Sequence, residues 1–341
     1  MAFLHISCMT SISFLFTLHF YHSENPFHNF EHASHVIMSA GKLMKRVVNP
    51  EGLNFDSAET EEAREIHKQT YGICSDKLMQ FAVVFSALIH DVDHTGLTNA
   101  ELVKMKAPVA GAYQNKSIAE QNSVDVAWSV LMDDRFKDLR ACIYTNEEEL
   151  QHFRQLIVNA VMATDIADKE LKALRESRWD DAFNETSQSS ETAPILQDVE
   201  TSDRKATIVF EYIIQASDVA HTMQHWHTYQ KFNRRLFAER YLAWMNGHAG
   251  EKDPSDFWYK GELWFFDNYI IPLARKLDKC GVFGVSYHEY LQYAKENRKE
   301  WEVKGHHIVA EMLESCREKY DSEDKASDHF EDDDFVIKDD E

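Results

Sequence analysis

The sequence predicts an all-α fold, and three features of the 341-residue chain support this. Long stretches, such as residues 112–193 and 207–246, contain neither glycine nor proline, the residues that most often end helices. The run from Leu78 to Ile89 is apolar almost all round, which is typical of a fully buried helix. Strand-like alternation of apolar and polar residues is nearly absent. We therefore expect a compact multi-helix domain.

The composition indicates a globular chain with a cation site. Hydrophobic residues make up 44% of the chain and aromatic residues 12%, which excludes wholesale disorder. The formal net charge is −22, whereas proteins that bind nucleic acid polymers present a basic surface, so no such partner is expected. An acidic domain can accept an anionic ligand when metal ions supply local positive charge. The five cysteines form no CxxC pair, which indicates reduced thiols and a cytoplasmic location.

The chain divides into three parts. Residues 1–20 lean apolar, but polar residues interrupt them and the first lysine is Lys42, so a buried or partly ordered helix is favoured over a membrane segment or signal peptide. Residues 21–320 form the main domain, with a surface loop expected at Asn184–Asp203 and a helix end at Asn246–Gly247. Residues 321–341 are dominated by acidic side chains and predict a disordered tail.

The first segment with chemistry is NPFHNFEHASHV, in which His28 and His32 stand four residues apart. Residues at this spacing share one face of a helix, so the two imidazoles can converge on one centre. A single pair of this kind is more often a surface or capped feature, so it needs support from elsewhere in the chain.

The second segment, HDVDHTG, follows the buried helix and contributes His90, Asp91, Asp93 and His94. Ionisable groups beside a core are costly unless they are paired or ligate a metal. The third segment, QASDVAHTMQHWH, places Asp218 early in a long helix, after apolar residues. Taken jointly, the three segments favour a metal site over a structural role.

Imidazole and carboxylate ligands without thiolate suit Zn²⁺ at one position and Mg²⁺ or Mn²⁺ at a second. Two cations about 3.5–4 Å apart can clamp a phosphate and activate a water for in-line attack. A nearby protonated histidine can then give a proton to the leaving alkoxide.

In these motifs the sequence resembles the class I 3′,5′-cyclic nucleotide phosphodiesterase catalytic domain of the HD superfamily. The family pattern runs Tyr-His-Asn-x-x-His, then His-Asp-x-x-His-x-Gly, then a late Ala-Asp. Here the three motifs stand in the same order at Phe27–His32, His90–Gly96 and Ser217–Asp218. The likeness extends from about Tyr21 to near Tyr320.

The resemblance implies hydrolysis of cAMP and/or cGMP to 5′-monophosphates, in cyclic-nucleotide signalling, with two divalent metal ions. It implies that His28 is the general acid, and that Asp91 also bridges to the second metal, which is Mg²⁺ or Mn²⁺. The implied ligands of the tighter, zinc-like metal are His32, His90, Asp91 and Asp218.

Further roles follow from the same resemblance. Residues that orient ligands and metal-bound waters are expected at Asp93, His94, Asn99, Glu120, Thr164 and Asp165. Residues that contact substrate are expected at His28, Asp91, Asp218, Glu262 and Phe265, with the Phe265 ring stacking on the purine.

The chain departs from the family pattern at several places. Phe27 replaces a tyrosine, Gln121 and Asn122 follow Glu120 where Asn-His-His is common, and Glu262 replaces a purine-binding glutamine. An ionised carboxylate only accepts hydrogen bonds, so Glu262 favours acceptance of cGMP at least as well as cAMP. The few residues before Phe27 predict a domain that lacks some N-terminal helices of the family.

Two alternatives stay open at this point. One is another HD-type phosphohydrolase that acts on nucleotides. The other is a non-catalytic remnant of the domain that binds a cyclic nucleotide or a protein partner. A homodimer is a further expectation that the sequence leaves open.

Overall fold

The computed structural model describes residues 20–47, 61–183, 195–283 and 288–331, and this part of the chain contains fourteen α-helices and no strand. The all-α prediction is confirmed. The first eight helices are α1 (Phe30–Arg46), α2 (Glu61–Gln69), α3 (Lys77–Ile89), α4 (Asn99–Lys104), α5 (Pro108–Ala112), α6 (Ile118–Met132), α7 (Lys137–Ile143) and α8 (Glu147–Met162). The remaining six are α9 (Lys169–Phe183), α10 (Ile195–Asp218), α11 (Trp226–Met245), α12 (Ser255–Phe265), α13 (Ile271–Lys279) and α14 (His288–Glu331).

Helix α3 lies at the centre of the first half of the fold. Its residues are buried on every side, including Val83, Phe85 and Leu88, as the apolar run predicts. It packs against α1, α8 and α10, and these helices share one large hydrophobic core. Because the C-terminal half of α3 is buried, the residues that follow Ile89 lie in the interior.

Capping residues set where the helices near the centre begin. The Asn29 side chain accepts hydrogen bonds from the backbone N–H groups of Glu31 and His32 at the start of α1. Thr98 and Glu101 form a reciprocal capping box at the start of α4. These caps place His32 in the first turn of α1 and Asn99 at the first position of α4.

The second half of the fold is built on α14, against which α11, α12 and α13 pack. A π-helical turn, Phe266–Ile270, joins α12 to α13. At Gly305 the contact is so close that a Cβ atom would lie 2.8 Å from the rings of both Trp301 and Tyr259. Glycine at this position therefore lets α12, which carries Phe265, lie against α14.

One expected boundary was wrong, and the expected tail is described only in part. The loop expected at Asn184–Asp203 is shorter, because α10 already begins at Ile195. Helix α14 continues to Glu331, so the backbone of 321–331 is helical where a disordered tail was expected. Both segments are polar but contain no helix breaker from Ile195 or from Asp321 onward, and each adjoins a long packed helix that extends into it.

One further expectation is confirmed, and another falls outside the described residues. The predicted helix end at Asn246–Gly247 is confirmed, since α11 ends at Met245 and Gly247 has φ +72°. The expected helix at residues 1–20 lies outside the described residues except for Phe20, as do residues 184–194 and 332–341. Among the described helices, none combines the length and apolarity needed to cross a membrane.

Candidate metal and acid–base site

His90 and Asp91 come directly after α3, at the C-terminal end of the most buried helix. The His90 ring is 2% exposed, and its Nδ1 lies 3.1 Å from the carbonyl oxygen of Ala87, to which it can donate a hydrogen bond. That bond fixes the tautomer and leaves Nε2 free to act as a ligand. The buried helix therefore positions two polar side chains at the floor of a cavity.

His32 reaches the same point from the first turn of α1, but His28 does not. Helix α1 begins at Phe30, so His28 precedes the helix and the two histidines do not share a helical face. The prediction that both imidazoles converge on one centre was wrong. Asn29 is the N-cap, and its capping bonds require extended backbone just where the i, i+4 spacing assumed a helix.

Asp218, the last residue of α10, lies at the same point as His32, His90 and Asp91. The sequence placed it early in a long helix, which was wrong, since the chain breaks into a 3₁₀ turn at Ala220–Met223 before α11 starts at Trp226. The ends of α3 and α10 thus meet beside the first turn of α1.

Donor atoms from these four residues form a compact cluster. His32 Nε2 lies 3.1 Å from Asp218 Oδ1 and 3.4 Å from Asp91 Oδ2. His90 Nε2 lies 3.1 Å from Asp91 Oδ2, 3.5 Å from Asp218 Oδ1 and 3.4 Å from His32 Nε2. Zinc–ligand bonds of about 2.0–2.2 Å in a tetrahedron give ligand–ligand separations of about 3.3–3.6 Å. The separations among His32, His90 and Asp218 fit such a cation, and Asp91 lies beside the two imidazoles.

The hydrogen bonding of the cluster also fits a cation. Asp91 Oδ2 is buried and accepts no hydrogen bond, although two imidazole nitrogens lie close to it. A buried carboxylate oxygen without a donor is costly unless a cation satisfies it. His32, His90, Asp91 and Asp218 could together hold a divalent metal ion.

Charge in the cluster is strongly coupled. Burial lowers the pKa of His90, but the carboxylates of Asp91 and Asp218 outweigh burial and raise it well above its usual range. Burial likewise raises the pKa of Asp91, and the charges of His90 and His28 outweigh this and hold it well below its usual range. Two carboxylates at this spacing require compensating positive charge, from protons on the imidazoles or from a cation.

A second pair, His28 and Glu239, stands across the cavity from this cluster. Glu239 in α11 accepts 2.9 Å hydrogen bonds from the backbone N–H groups of Phe27 and His28, and its other oxygen forms a short hydrogen bond with His28 Nδ1. Burial lowers the pKa of His28, but the charges of Glu239, Asp91 and Asp218 outweigh it and raise the pKa to about 9. His28 is therefore held as an imidazolium near neutral pH.

His94 packs on His28 and separates it from solvent. The two rings are stacked, with centroids 3.8 Å apart. Burial, followed by the positive charge of His28, lowers the pKa of His94 to about 3, and its Nδ1 accepts a hydrogen bond from the N–H of Gly96. His28, His94 and Glu239 could in principle hold an ion, but His28 and Glu239 already bond each other, which favours an acid with its orienting partner.

A polar network lines the wall beyond Asp91. Asn99 donates to Glu120 at 2.9 Å and accepts from the N–H of Ala119 at 2.9 Å, and its amide nitrogen lies 3.4 Å from Asp165. Ser117 donates to Asp165 at 2.6 Å. Burial, followed by the charge of Asp165, raises the pKa of Glu120 to about 7. The structure brings Asn99, Glu120 and Asp165 together, as their expected role requires.

Of the two other expected residues, Asp93 lies away from the cluster, whereas Thr164 lines the same cavity as Asp165. The Asp93 carboxylate faces away from the cluster and contacts His22 and Asn122, so it braces the loop that carries His94. The Thr164 hydroxyl donates to the carbonyl oxygen of Val161 at 2.7 Å, at the end of α8. Gly96 closes the HDVDHTG loop with φ +75°, and a Cβ there would lie 3.0 Å from Asn25 Oδ1.

Asp91 and Asp218 of the cluster, His28 and the polar residues Asn99, Glu120 and Asp165 line one cavity of 470 Å³, large enough for a small ligand. Phe265 contributes an aromatic wall and stacks on Tyr269 with ring centroids 5.3 Å apart. Glu262, one turn earlier in α12, does not reach the wall of this cavity but accepts a 2.7 Å hydrogen bond from the Tyr229 hydroxyl. The structure thus brings Phe265 to the cavity and leaves Glu262 behind it.

Sequence reasoning missed Glu239 and Arg240, which follow each other in α11. Glu239 is 3% exposed, and Arg240 lines the cavity. The clue was an adjacent acid and base inside the aromatic run LFAERYLAW, where charged residues rarely face a core without a partner. His221, in the segment QASDVAHTMQHWH, also lines the cavity, and the sequence analysis gives it no role.

Comparison with known proteins gives consistent results. A family model described as 3′5′-cyclic nucleotide phosphodiesterase matches residues 27–280. The human dual specificity calcium/calmodulin-dependent 3′,5′-cyclic nucleotide phosphodiesterase 1C is 23% identical over 218 residues, which cover 63% of this chain and 24% of that protein. The human cGMP-inhibited 3′,5′-cyclic phosphodiesterase 3A is 30% identical over 163 residues, covering 41% and 14%. The matched segments thus span less than a third of these two relatives.

The fold is also found among solved structures. The phosphodiesterase domain of Salpingoeca rosetta rhodopsin phosphodiesterase aligns with a TM-score of 0.65 and 19% identity, covering 90% of this chain and 83% of that one. At this identity the likeness shows a shared all-α fold.

Replacing one ligand tests the cluster directly. Asp91→Asn keeps the size of the side chain but puts an amide in place of a carboxylate, and we expect the divalent metal bound to the purified protein to fall roughly tenfold or more. Asp267→Asn is the matched control, because Asp267 forms a surface ion pair with Arg298. Metal content is measured by mass spectrometry after gel filtration. Equal metal in both variants would contradict the assignment.

Proposed function

Since this chain belongs to the 3′,5′-cyclic nucleotide phosphodiesterase family, we propose that it hydrolyses cAMP and/or cGMP to the 5′-monophosphate. The observation that carries the proposal is the arrangement within one cavity. A four-ligand His/Asp cluster faces the charged His28–Glu239 pair, and Phe265 supplies an aromatic wall. These are the parts that cleavage of a phosphoester in a purine nucleotide requires.

The metal requirement belongs to the same proposal. His32, His90, Asp91 and Asp218 would hold a first divalent cation, for which Zn²⁺ is proposed, and Asp91 would also serve a second cation, for which Mg²⁺ or Mn²⁺ is proposed. The chemistry that such cations supply when bound is charge neutralisation at the phosphate and acidification of a water molecule. Hydroxyl, amide and carboxylate groups of the Asn99–Glu120–Asp165 network suit contacts to metal-bound waters.

His28 is proposed to complete the reaction. The oxygen of a water molecule bonds to phosphorus and one of its protons is released to solvent, while the bond from phosphorus to O3′ breaks and leaves its electron pair on O3′. The imidazolium gives its proton to O3′, so that the 3′-hydroxyl leaves neutral, and His28 then regains a proton from solvent. Glu239 keeps the ring oriented through Nδ1, which leaves Nε2 to carry the transferred proton. The raised pKa of His28 supports this role, because an acid must be protonated before it can donate.

The remaining expectations stay predictions. A cytoplasmic location, a role in cyclic-nucleotide signalling and a homodimer follow from the sequence and from the family, and each needs its own experiment. The proposed substrate is a small nucleotide, in keeping with the net charge of −22, which disfavours nucleic acid polymers.

The direct test is hydrolysis of cAMP and cGMP side by side, followed by chromatography of the products. We expect 5′-AMP or 5′-GMP in the presence of Mg²⁺ or Mn²⁺ and loss of turnover with a chelator, because the phosphate charge is then no longer neutralised. A 2′,3′-cyclic nucleotide serves as the control substrate. Binding of cyclic nucleotide without turnover would instead support a non-catalytic module.

The His28→Ala variant tests the proposed acid. Its turnover should fall by on the order of 10²–10⁴-fold, the usual contribution of a general acid, while metal content stays near that of the wild type. His307→Ala is the control, because His307 is exposed on α14. If the metal is lost together with activity, His28 is a ligand or a structural support and the acid must be sought elsewhere.

The pH dependence of the preference for cGMP over cAMP tests whether Glu262 contacts the purine. Burial raises the pKa of Glu262 to about 7, against the opposing effect of hydrogen bonds from Tyr229 and Asn233. Below this pKa the neutral acid donates and accepts like an amide, and above it the carboxylate only accepts, which suits the adjacent N–H donors of guanine. Glu262 lies behind the cavity wall, three residues before Phe265 in α12. If a base stacked on Phe265 draws the Glu262 side chain to it, the ratio of kcat/KM for cGMP to that for cAMP should rise from about pH 6 to about pH 8.

The Glu262→Gln variant is the control for that experiment, because an amide does not titrate in this range. Its selectivity ratio should stay flat across the same pH values. An identical pH profile in the wild type and the variant would show that Glu262 does not read the base.

A further inference from the structure

Two consecutive residues of α11 hold two different segments beside the proposed catalytic cavity. Glu239 binds the segment before α1 through the backbone of Phe27 and through both the backbone and the ring of His28. Arg240 donates to the carbonyl oxygen of Gly96 at 3.4 Å and forms a short ion pair with Glu101 in α4. The role of Arg240 is not explained by the proposed reaction.

The Arg240–Glu101 pair is largely withdrawn from solvent. The side chain of Arg240 is 20% exposed and that of Glu101 is 11% exposed. Burial raises the pKa of Glu101, and hydrogen bonds from Arg240 and Thr98 outweigh burial and lower it, so the carboxylate is ionised. A buried ion pair is strongly destabilising when one partner is removed, because the other charge is left without compensation.

Glu101 links Arg240 to the start of α4. One of its oxygens binds Arg240, and the other accepts from the N–H of Thr98 at 2.8 Å as part of the capping box of α4. Asn99, the residue after Thr98, donates a hydrogen bond to Glu120 and accepts one from the N–H of Ala119. A continuous line of polar contacts therefore runs from Arg240 through the start of α4 to the side chains that face Asp91.

Arg240 also separates two cavities. It lines the 470 Å³ catalytic cavity and a second cavity of 580 Å³, whose walls include Glu101, Lys104, Phe257 and Trp258. Among the residues that line the catalytic cavity, Arg240 is the one lysine or arginine. Removing its side chain would both release Glu101 and open a path for water into the wall that carries Asn99.

From these contacts we propose that Arg240 is a positioning residue. Its ion pair with Glu101 fixes the first turn of α4 and thereby sets Asn99 against Glu120 and Asp165. The proposal rests on the proposed function, because Asn99 and its partners matter to catalysis only if the cavity hydrolyses phosphoesters. Arg240 itself acts through Asn99 and need not touch the reacting atoms.

The test compares Arg240→Met, Arg240→Lys and the control Arg234→Met. Arg234 is on the same helix and forms an exposed ion pair with Glu311. We expect Arg240→Met to lower kcat by roughly 10–100-fold, the usual effect of losing a group that orients a metal site, with a much smaller change in KM. Arg240→Lys should recover much of the loss, because an ammonium can still reach Glu101. The recovery should be incomplete, because the ammonium cannot bond Gly96 at the same time. Arg234→Met should match the wild type.

A double-mutant cycle separates positioning from general destabilisation. If Arg240 acts through Asn99, Arg240→Met should cost less than about threefold further in an Asn99→Ala background. Additive effects of the two substitutions would overturn the proposal, as would full kcat in Arg240→Met. All rates are measured well below the melting temperature of each variant, so that unfolding does not contribute.

A measurement without substrate completes the test. Mn²⁺ affinity, followed by electron paramagnetic resonance, should fall roughly tenfold in Arg240→Met and stay unchanged in Arg234→Met. Unchanged Mn²⁺ affinity in Arg240→Met would count against the proposal. If the wild type hydrolyses neither nucleotide, the proposed function fails on its own, and the cycle is read on Mn²⁺ affinity instead.

Discussion

The burial of two carboxylates, Asp91 and Asp218, is the constraint on which the rest of the structure depends. Asp91 follows the apolar helix α3 and Asp218 ends α10, and their side chains are only 12% and 21% exposed. Charges in such a place must be compensated. His32 and His90 meet both carboxylates at 3.1–3.5 Å, which brings α1, α3 and α10 to one point. The same shortage of positive charge makes the cluster a good site for a divalent cation.

A second ion pair is kept apart from the first, and this gives the cavity two chemical functions. Glu239 bonds His28 directly, and the charges of Asp91 and Asp218 add to its effect in holding the imidazolium. Phe27 and His94 pack on either side of it, the former with its ring between His28 and His32. Helix α11 therefore supplies both Glu239, which orients the ring of His28, and Arg240, which pairs with Glu101 at the start of α4.

Sequence patterns predicted helices well and their ends less well. The apolar run of α3 and the glycine after α11 could be read because burial and left-handed backbone leave local marks. The start of α1 was misplaced, because the capping preference of Asn29 competes with the helical spacing of His28 and His32. The break after Asp218 left no mark at all, since residues 219–225 contain neither glycine nor proline.

The sequence by itself determined the fold class, the family resemblance and the identity of the cluster His32, His90, Asp91 and Asp218, because each residue lies in a local motif of fixed spacing. Only the tertiary structure decided that His28 pairs with Glu239, that Arg240 pairs with Glu101 and that Asp93 faces away from the cluster. The partners in both pairs are more than a hundred residues apart, and the loop at Asp93 can place its carboxylate on either side. Such choices depend on which helices pack together, and side-chain spacing along a chain does not record that.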